Sequence, residues 1–386
     1  MVKTIIRPLQ YRDLEAISQY LRRVDQVSDL VALGRQLELF RNCYGLLKFL
    51  ALFPNPWQNH FRAYVAEESQ KLIGLVQVEP ENISRSTWRV KQVLTMETSC
   101  LETGSQLLRY CFESLWEART WILEVNIEQK DTLALYRQNG FQPIAHLTHW
   151  SLSPSILAGL AEKSSDLVNL MPVSNADAQL LYQLDCVSMP PLLRQVFDRH
   201  VQDFKKGLLN RTALQFKNWW TGKDFKEAYV FEPQRKAAIA YFNVQISHNS
   251  SQPHQLQLTV HPAYTWLYGP ILVKIAQIIQ NYPSSLPLEL VSADYQPERE
   301  ECLEQIAAER VEHTLLMSRS VWHKLREVKQ EGLQLSDMLQ GLKSVPRSPI
   351  PTRFSPFAQG SQNLPLEISE KSQHDSSNDP SNGHRA

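Results

Sequence analysis

The sequence predicts an α/β protein: a mixed sheet flanked by helices, built as two copies of one module and followed by a disordered C-terminal tail. Three observations carry this. The stretch WILEVNIEQKDTLALYRQNGF, Trp121 to Phe141, reads as a buried strand, a short turn, an amphipathic helix stopped at Gly140, and a Phe that opens the next strand. Three segments near the N-terminus are echoed further along the chain. IIRPLQYRDLEAI matches NLMPVSNADAQLL, aligning Pro8 with Pro172 and Asp13 with Asp177. AYVAEESQKLIGL matches AYVFEPQRKAAIAY, aligning Tyr64 with Tyr229, and VLTMETSCLETGSQLL matches LTVHPAYTWLYGPILV, aligning Gly104 with Gly269. The partners lie 164 residues apart in the first two pairs and 165 in the other two. Chance matches would scatter, so duplication of one module is the better account. From Val345 the composition turns to Pro, Ser, Asn and Gln, which bury too little apolar surface to offset ordering entropy.

Within the first copy the expected order is a strand at 3–8, helices at 11–22 and 33–51, and strands at 62–68, 71–80 and 87–96. A helix at 102–117, a strand at 120–126, a helix at 129–138 and a final strand pair to about residue 152 follow. Alternating apolar residues mark the hairpin at Glu68–Lys71: Tyr64 and Ala66 before it, Leu72, Val76 and Val78 after it. In DTLALYRQNGF, Leu133, Tyr136 and Arg137 fall on adjacent helical turns. The expected domains are residues 1–152, a linker at 153–166, a second copy at 167–327, a helical extension at 328–344 and a tail at 345–386.

The strand–helix pairs at Val93–Ser105 and Trp121–Phe141 resemble the acetyl-CoA-binding core of the GNAT superfamily of N-acetyltransferases. That family's second motif reads roughly Leu-Glu-Val, then Asn-x-x-Ala, then Leu-Tyr-x-x-x-Gly-Phe. This chain has Leu123, Glu124 and Val125, then Gln129 and Thr132 in the Asn and Ala slots, then Leu135, Tyr136, Gly140 and Phe141, with the spacing unbroken. The loop pattern, Gln/Arg-x-x-Gly-x-Gly/Ala, is met at Gly104 alone, with Ser99 in the first slot and Glu102 in the middle glycine slot. A carboxylate there is itself drawn to the positive end of the helix dipole and competes with a phosphate.

The resemblance implies an acetyl-CoA-dependent N-acyltransferase in which an amine attacks the thioester directly. Two neighbouring strands, Gln92–Met96 and Ile122–Asn126, are expected to part and admit the pantetheine arm like an added strand. It assigns cofactor binding to Val93, Leu94, Thr95, Met96, Leu101, Glu102, Thr103, Gly104, Ser105, Asn126 and Gln129. The pyrophosphate is expected on amides at the start of the following helix, in the loop Ser99–Ser105. Tyr136 matches the position that protonates the departing thiolate in many members; a packed core aromatic on an amphipathic helix is the competing reading. Glu97, Glu124, His146 and His149 are candidates for the base by position only. The acceptor pocket is expected at residues 23–60 and near 142–150. The alternative function is a non-catalytic acyl-CoA sensor or protein-interaction module on the same fold.

The second copy keeps a strand, a His-Pro turn and a helix in LQLTVHPAYTWLYGPILVKIAQII, but lacks the glycine-rich loop, and Tyr264, Trp266 and Tyr268 crowd that position. CLEQIAAERVEHTLL stands where the tyrosine motif would be, so this half reads as a degenerate partner. Asn218–Trp220 is expected to fill a core or line a pocket. Hydrophobic residues make up 43%, enough for sizeable cores, and the 40 basic and 40 acidic residues cancel, which argues against a nucleic-acid binder. The cysteines Cys43, Cys100, Cys111, Cys186 and Cys302 form no CxxC, so neither a disulfide framework nor a zinc site is expected. No metal, no membrane span and a cytoplasmic location are the remaining expectations, with acetyl-CoA and an amine-bearing acceptor as partners and a homodimer as one assembly consistent with them.

Overall fold

The computed structural model describes residues 4–23, 62–69, 71–96, 100–165, 167–205, 223–248, 252–282 and 285–321. The expected helix at 33–51, the Asn218–Trp220 segment, the 328–344 extension and the tail lie outside the described residues.

Strands β1 (Ile5–Pro8), β2 (Arg62–Glu68), β3 (Lys71–Pro80), β4 (Thr87–Thr95), β5 (Thr120–Asn126) and β6 (Gln142–Leu152) come from the first half. Strands β7 (Leu170–Pro172), β8 (Lys223–Glu232), β9 (Ala237–Ser247), β10 (His254–Val260), β11 (Leu288–Ala293) and β12 (Glu309–Ser320) come from the second. All form one sheet in the order β1-β2-β3-β4-β5-β12-β6-β11-β10-β9-β8-β7. The centre is an exchange. β12 of the second half lies between β5 and β6 of the first, and β6 lies between β12 and β11. β5 and β12 run antiparallel from Thr120↔Ser320 to Asn126↔Thr314. β6 and β11 run antiparallel from Leu152↔Leu288 to Leu147↔Ala293.

The expected strand pair before residue 152 is therefore one long strand whose two neighbours both come from the other half. A hairpin would need a turn within 142–152, and the alternation of buried and exposed residues there runs nearly unbroken. The duplication appears in the register. Glu124 opposes Leu316, and Ser151 opposes Glu289, two pairs related by one offset of 165 residues. Thr148 opposes His313, a pair that this offset maps onto itself.

Helix α1 (Asp13–Arg23) follows β1, and α2 (Cys100–Ser114) follows β4. Helix α3 (Lys130–Gln138) follows β5 and ends where Gly140 adopts φ 81°, a left-handed conformation that glycine takes without strain. Helix α4 (Pro154–Ala161) lies within the segment expected to be a linker, with Ser153 capping it through Ile156 N–H. The second half adds α5 (Ala178–Ser188), α6 (Pro191–Phe197), α7 (Tyr268–Gln280) and α8 (Pro297–Gln305).

The aligned aspartates do the same work in both halves. Asp13 accepts the Gln10 N–H at 2.8 Å and Asp177 accepts the Ser174 N–H at 2.9 Å, each closing the turn before its helix. Asp13 also binds Arg7, which bridges to Glu67, whereas Asp177 takes the Tyr229 hydroxyl.

One face of the first half's sheet packs on α2 and α3. Trp88, Trp121, Leu123 and Val125 meet Leu107, Leu108, Phe112, Leu135 and Phe141 there. Each large aromatic in such a core hides about 150–250 Å². On the opposite face, Leu14 and Ile17 of α1 cover Val65 and Leu75, and Leu193, Val196 and Phe197 of α6 cover Ile122, Ala145 and Leu316. The second half thus supplies both a strand and a helix to the first. Asn82 fixes that docking: its amide donates to the carbonyls of Phe197 and Asp198 at 3.1 and 2.9 Å, while the Thr87 hydroxyl donates to the Val196 carbonyl at 2.7 Å.

Candidate functional site

β4 and β5 are parallel neighbours for four residues only, Thr87↔Thr120 through Val90↔Leu123. Beyond that, β4 stays with β3 to Thr95↔Gly74, and β5 stays with β12 to Asn126↔Thr314. A wedge opens between them. Its cause is local: Val78 opposes Val90 but Gln77 opposes Gln92, so Lys91 is an extra residue in β4. Such a bulge bends its strand and interrupts pairing at that point. The expected gap began at Ile122; it begins after Leu123, because Ile122 still pairs with Arg89.

The start of α2 stands just beyond the end of β4. An α-helix leaves only its first-turn N–H groups without intrahelical acceptors, here the turn that begins at Cys100. Counted from Cys100, the Thr103 amide is the fourth of that turn and those of Gly104 and Ser105 lie beyond it, while the Thr103 and Ser105 side chains and the Gly104 Cα have structural partners. Thr103 is buried against Gly74, whose added Cβ would lie 2.9 Å from the threonine methyl. Gly104 faces α3, where an added Cβ would lie 2.7 Å from Leu135. The Ser105 hydroxyl accepts from the Asn139 amide at 2.8 Å, tying α2 to the end of α3. Glu102 is exposed, with its carboxylate 3.5 Å from the Gln106 amide. It lies along the flank that also carries Arg109 and Glu113, bordering a groove towards Ile6, Glu68 and Ile73.

No family model and no curated protein matches this sequence. Solved structures do. A tandem GNAT protein from the clavulanic acid biosynthesis pathway aligns over 83% of this chain and 100% of its own, at 14% identity and a TM-score of 0.52. A GCN5-related N-acetyltransferase from Sphaerobacter thermophilus aligns over 82% of this chain and 95% of its own, at 11% identity and a TM-score of 0.50. The chain has the tandem GNAT fold.

In this GNAT fold the two halves treat their wedges differently. β10 and β11 also pair for a short stretch, His254↔Leu288 through Leu256↔Leu290, and then part. Arg299, the third residue of α8, enters the gap. Its guanidinium donates to the carbonyl of Val291 on β11 at 2.9 Å and to that of Leu258 on β10 at 2.5 Å. The charge also lies 5.4 Å from the Tyr268 ring centroid. Arg299 is 5% exposed, and the cavity beside it measures about 170 Å³. The third residue of α3 in the first half is Thr132, too short for such a bridge. Among the described residues no arginine bridges the first wedge in this way, while Arg299 ties together the strands of the second.

The remaining expected residues are distributed around the first wedge. Val93, Leu94 and Thr95 lie on β4 beyond its last pair with β5, with Met96 just after them. Leu94 and Met96 pack towards α1, whereas Val93 packs towards α2. Leu101 is exposed on the first turn of α2. Asn126 donates to Glu312 at 2.7 Å and accepts the Glu128 N–H, so its amide is engaged at both ends. Gln129 is exposed before α3, its N–H on the Asn126 carbonyl. Tyr136 is 5% exposed, with its ring against Phe141 at a centroid distance of 5.9 Å. Cys111 is fully buried, and burial pushes its thiol far up, so it packs rather than reacts. Glu97 and Ser99 lie outside the described residues.

Glu124 and His149 come together. His149 Nε2 and Glu124 Oε1 are 2.6 Å apart, and the Thr314 hydroxyl donates to the same carboxylate oxygen at 2.5 Å. Burial opposes charge on both groups, but the contact outweighs it: Glu124 sits below and His149 above the ordinary range. Neither Thr314 nor Glu312 was predicted for this site. They belong to the second half, on a strand whose neighbour is set by tertiary packing. His146 differs: its ring is not in this cluster, and its N–H donates to Asp294 at 3.0 Å. Among the described residues no group of His, Cys, Asp and Glu could hold a metal ion, and no helix is long and apolar enough to cross a membrane.

Proposed function

We propose that the chain transfers an acyl group from acyl-CoA to an amine at the β4–β5 wedge of its first half. The observation that carries this is the parting of the two strands after Val90 and Leu123, with the first turn of α2 at its end. An extended pantetheine arm suits the wedge side of β4 beyond its last pair with β5, where the arm would lie like an added strand. The free amides at the start of α2 suit a pyrophosphate. N–H groups along Val93–Thr95 that face the wedge would polarise the thioester carbonyl as charge develops on its oxygen, whereas that of Met96 is given to the Ile73 carbonyl at 2.8 Å. The amine nitrogen bonds to the carbonyl carbon, the C–S bond breaks, and the sulfur leaves as thiolate. Tyr136 is the assigned donor of the proton that the sulfur takes up, by its place in the motif.

Two features of the chain support one site rather than two. Arg299 fills the second wedge, and Glu102 lies along the outer flank of α2. Calorimetry on the full chain tests the reading: acetyl-CoA should bind at micromolar to sub-millimolar affinity with one site per chain. Absence of heat at millimolar ligand removes both the enzyme and the acyl-CoA sensor. If it binds, thiol release in the presence of amines separates the two, and Tyr136→Phe should slow that release.

A further inference from the structure

We propose that His149, oriented by Glu124, is the base that takes the acceptor's proton, and that Thr314 of the second half is a positioning residue for this pair. The proposal rests on the acyl-transfer reading of the wedge.

The face of approach is set by packing. Trp121, Leu123 and Val125 point into the core under α2 and α3, so that side of β5 is closed. Side chains alternate along a strand, which puts Glu124 on the other side with Ile122. Glu124 is the first residue of β5 after the last pair with β4, so its carboxylate stands at the mouth of the wedge. On this face α1 covers β2 and β3, and α6 covers Ile122, Ala145 and Leu316. Between those two covers the His149 and Glu124 side chains keep 32% and 31% exposure. An amine can reach them.

The geometry also selects the nitrogen. Nε2 of His149 is turned to Glu124, so a neutral ring carries its hydrogen there and offers the Nδ1 lone pair. This is the orienting arrangement in which a carboxylate fixes the tautomer of a histidine base. Thr314 gives its hydroxyl hydrogen to the same Glu124 oxygen, and its oxygen lies 3.3 Å from His149 Nε2. The charged groups facing the pair are Arg89 from β4, Glu312 from β12 and Glu289 from β11. In the step itself an N–H bond of the acceptor ammonium breaks, and its proton moves to Nδ1. The freed amine forms the new C–N bond as the C–S bond breaks. The nitrogen, now part of a protonated amide, loses its second proton as the thiolate takes one up, so the sum is ammonium plus thioester to amide plus thiol, with the first proton left on His149 to pass to solvent.

The test uses the full chain with acetyl-CoA and three defined amines: Nα-acetyl-lysine, phenylalanine amide and cadaverine. Thiol release is read against pH, acetyl-CoA binding by calorimetry, and the His149 ring by NMR titration. His149→Gln should lower kcat by about 100-fold or more while leaving acetyl-CoA affinity within about threefold. Glu124→Gln should move the His149 titration, and with it the acidic limb of the rate profile, to lower pH. Thr314→Val should lower kcat without raising the KM for acetyl-CoA, and Thr314→Ser should restore it. Intact binding with unchanged turnover in His149→Gln overturns the base assignment and leaves acyl transfer standing. Binding without thiol release from any of the three amines overturns base and transfer together, leaving an acyl-CoA-binding module. Loss of binding in the unaltered chain removes the wedge reading itself.

Discussion

Arg299 Nη2 lies 2.5 Å from the Leu258 carbonyl oxygen, and Nη1 of the same guanidinium lies 2.9 Å from that of Val291. One side chain thereby closes two parallel strands that have already lost their mutual ladder. Arg299→Met keeps the apolar stem and leaves both carbonyls without that donor. Hydrogen bonds to charged groups contribute about 1.5–3 kcal/mol each, so a loss of about 2–4 kcal/mol is expected in urea unfolding. Arg299→Lys should recover only part of it, since an ammonium lacks the planar fork that reaches both strands.

The exchange of β6 and β12 predicts the fate of the isolated first half. A fragment ending at residue 152 keeps β5 without β12, and β6 without either neighbour. Such an open edge beside buried Trp121 and Leu123 templates pairing with another chain. In size-exclusion chromatography the 1–152 fragment should run as a dimer or aggregate, whereas 1–324 should behave as one folded unit. A stable, monomeric, folded 1–152 would contradict the exchange.

Gly74 sets how closely α2 approaches the sheet. An added Cβ would lie 2.9 Å from Thr103 Cγ2, 3.0 Å from Leu107 Cδ1 and 3.1 Å from the Leu94 carbonyl. The carbonyl belongs to a paired strand and cannot yield cheaply. Gly74→Ala should destabilise by about 1–3 kcal/mol, as overpacked cores do. Because α2 also brings its first turn to the wedge, acetyl-CoA affinity should fall in the same variant. Thermal melts and calorimetry check the two effects separately.

Asp13 gives a pH-dependent prediction. Burial would raise its carboxyl, but the Arg7 guanidinium and the Gln10 N–H outweigh that and hold it below the ordinary range. A depressed value in the folded state means the unfolded chain takes up that proton first as pH falls. The stabilisation is present above the unfolded value of roughly 3.9 and disappears as pH drops through the folded value. The stability gap between the parent chain and Asp13→Asn should therefore be widest near neutrality and shrink below about pH 4. A gap that grows on acidification would refute this.

Much of the architecture was legible from local signals. Alternation around Glu68–Lys71 marked a hairpin, and Glu68 does pair with Lys71. The periodicity of DTLALYRQNGF and its glycine stop marked α3. Paired aspartates at a near-constant offset marked the duplication, and both close equivalent turns. What could not be read was choice of neighbour. Nothing in QPIAHLTHWSL says that the strands on either side of it come from beyond residue 280. Gly104 looked like a loop glycine because glycine serves both phosphate approach and close helix packing, and here it meets Leu135. Arg299 sits in PEREECLEQ, a segment so charged that one buried cation leaves no trace in its pattern. At the site, Glu124 and His149 were distinguishable only as polar residues within apolar strands, and their hydroxyl partner Thr314 lies 165 residues beyond His149.

The interleaved terminal strands also divide the mutations each half can survive. On the one-site reading proposed above, the second half can change wherever its own wedge need not stay open, and Arg299 stands at such a place. It cannot drift along Glu312–Ser320, because those residues form the inner wall of its neighbour's sheet. Changes in the last strand of the second half therefore reach into the first, and on the same one-site reading a half that needs no wedge of its own stays indispensable.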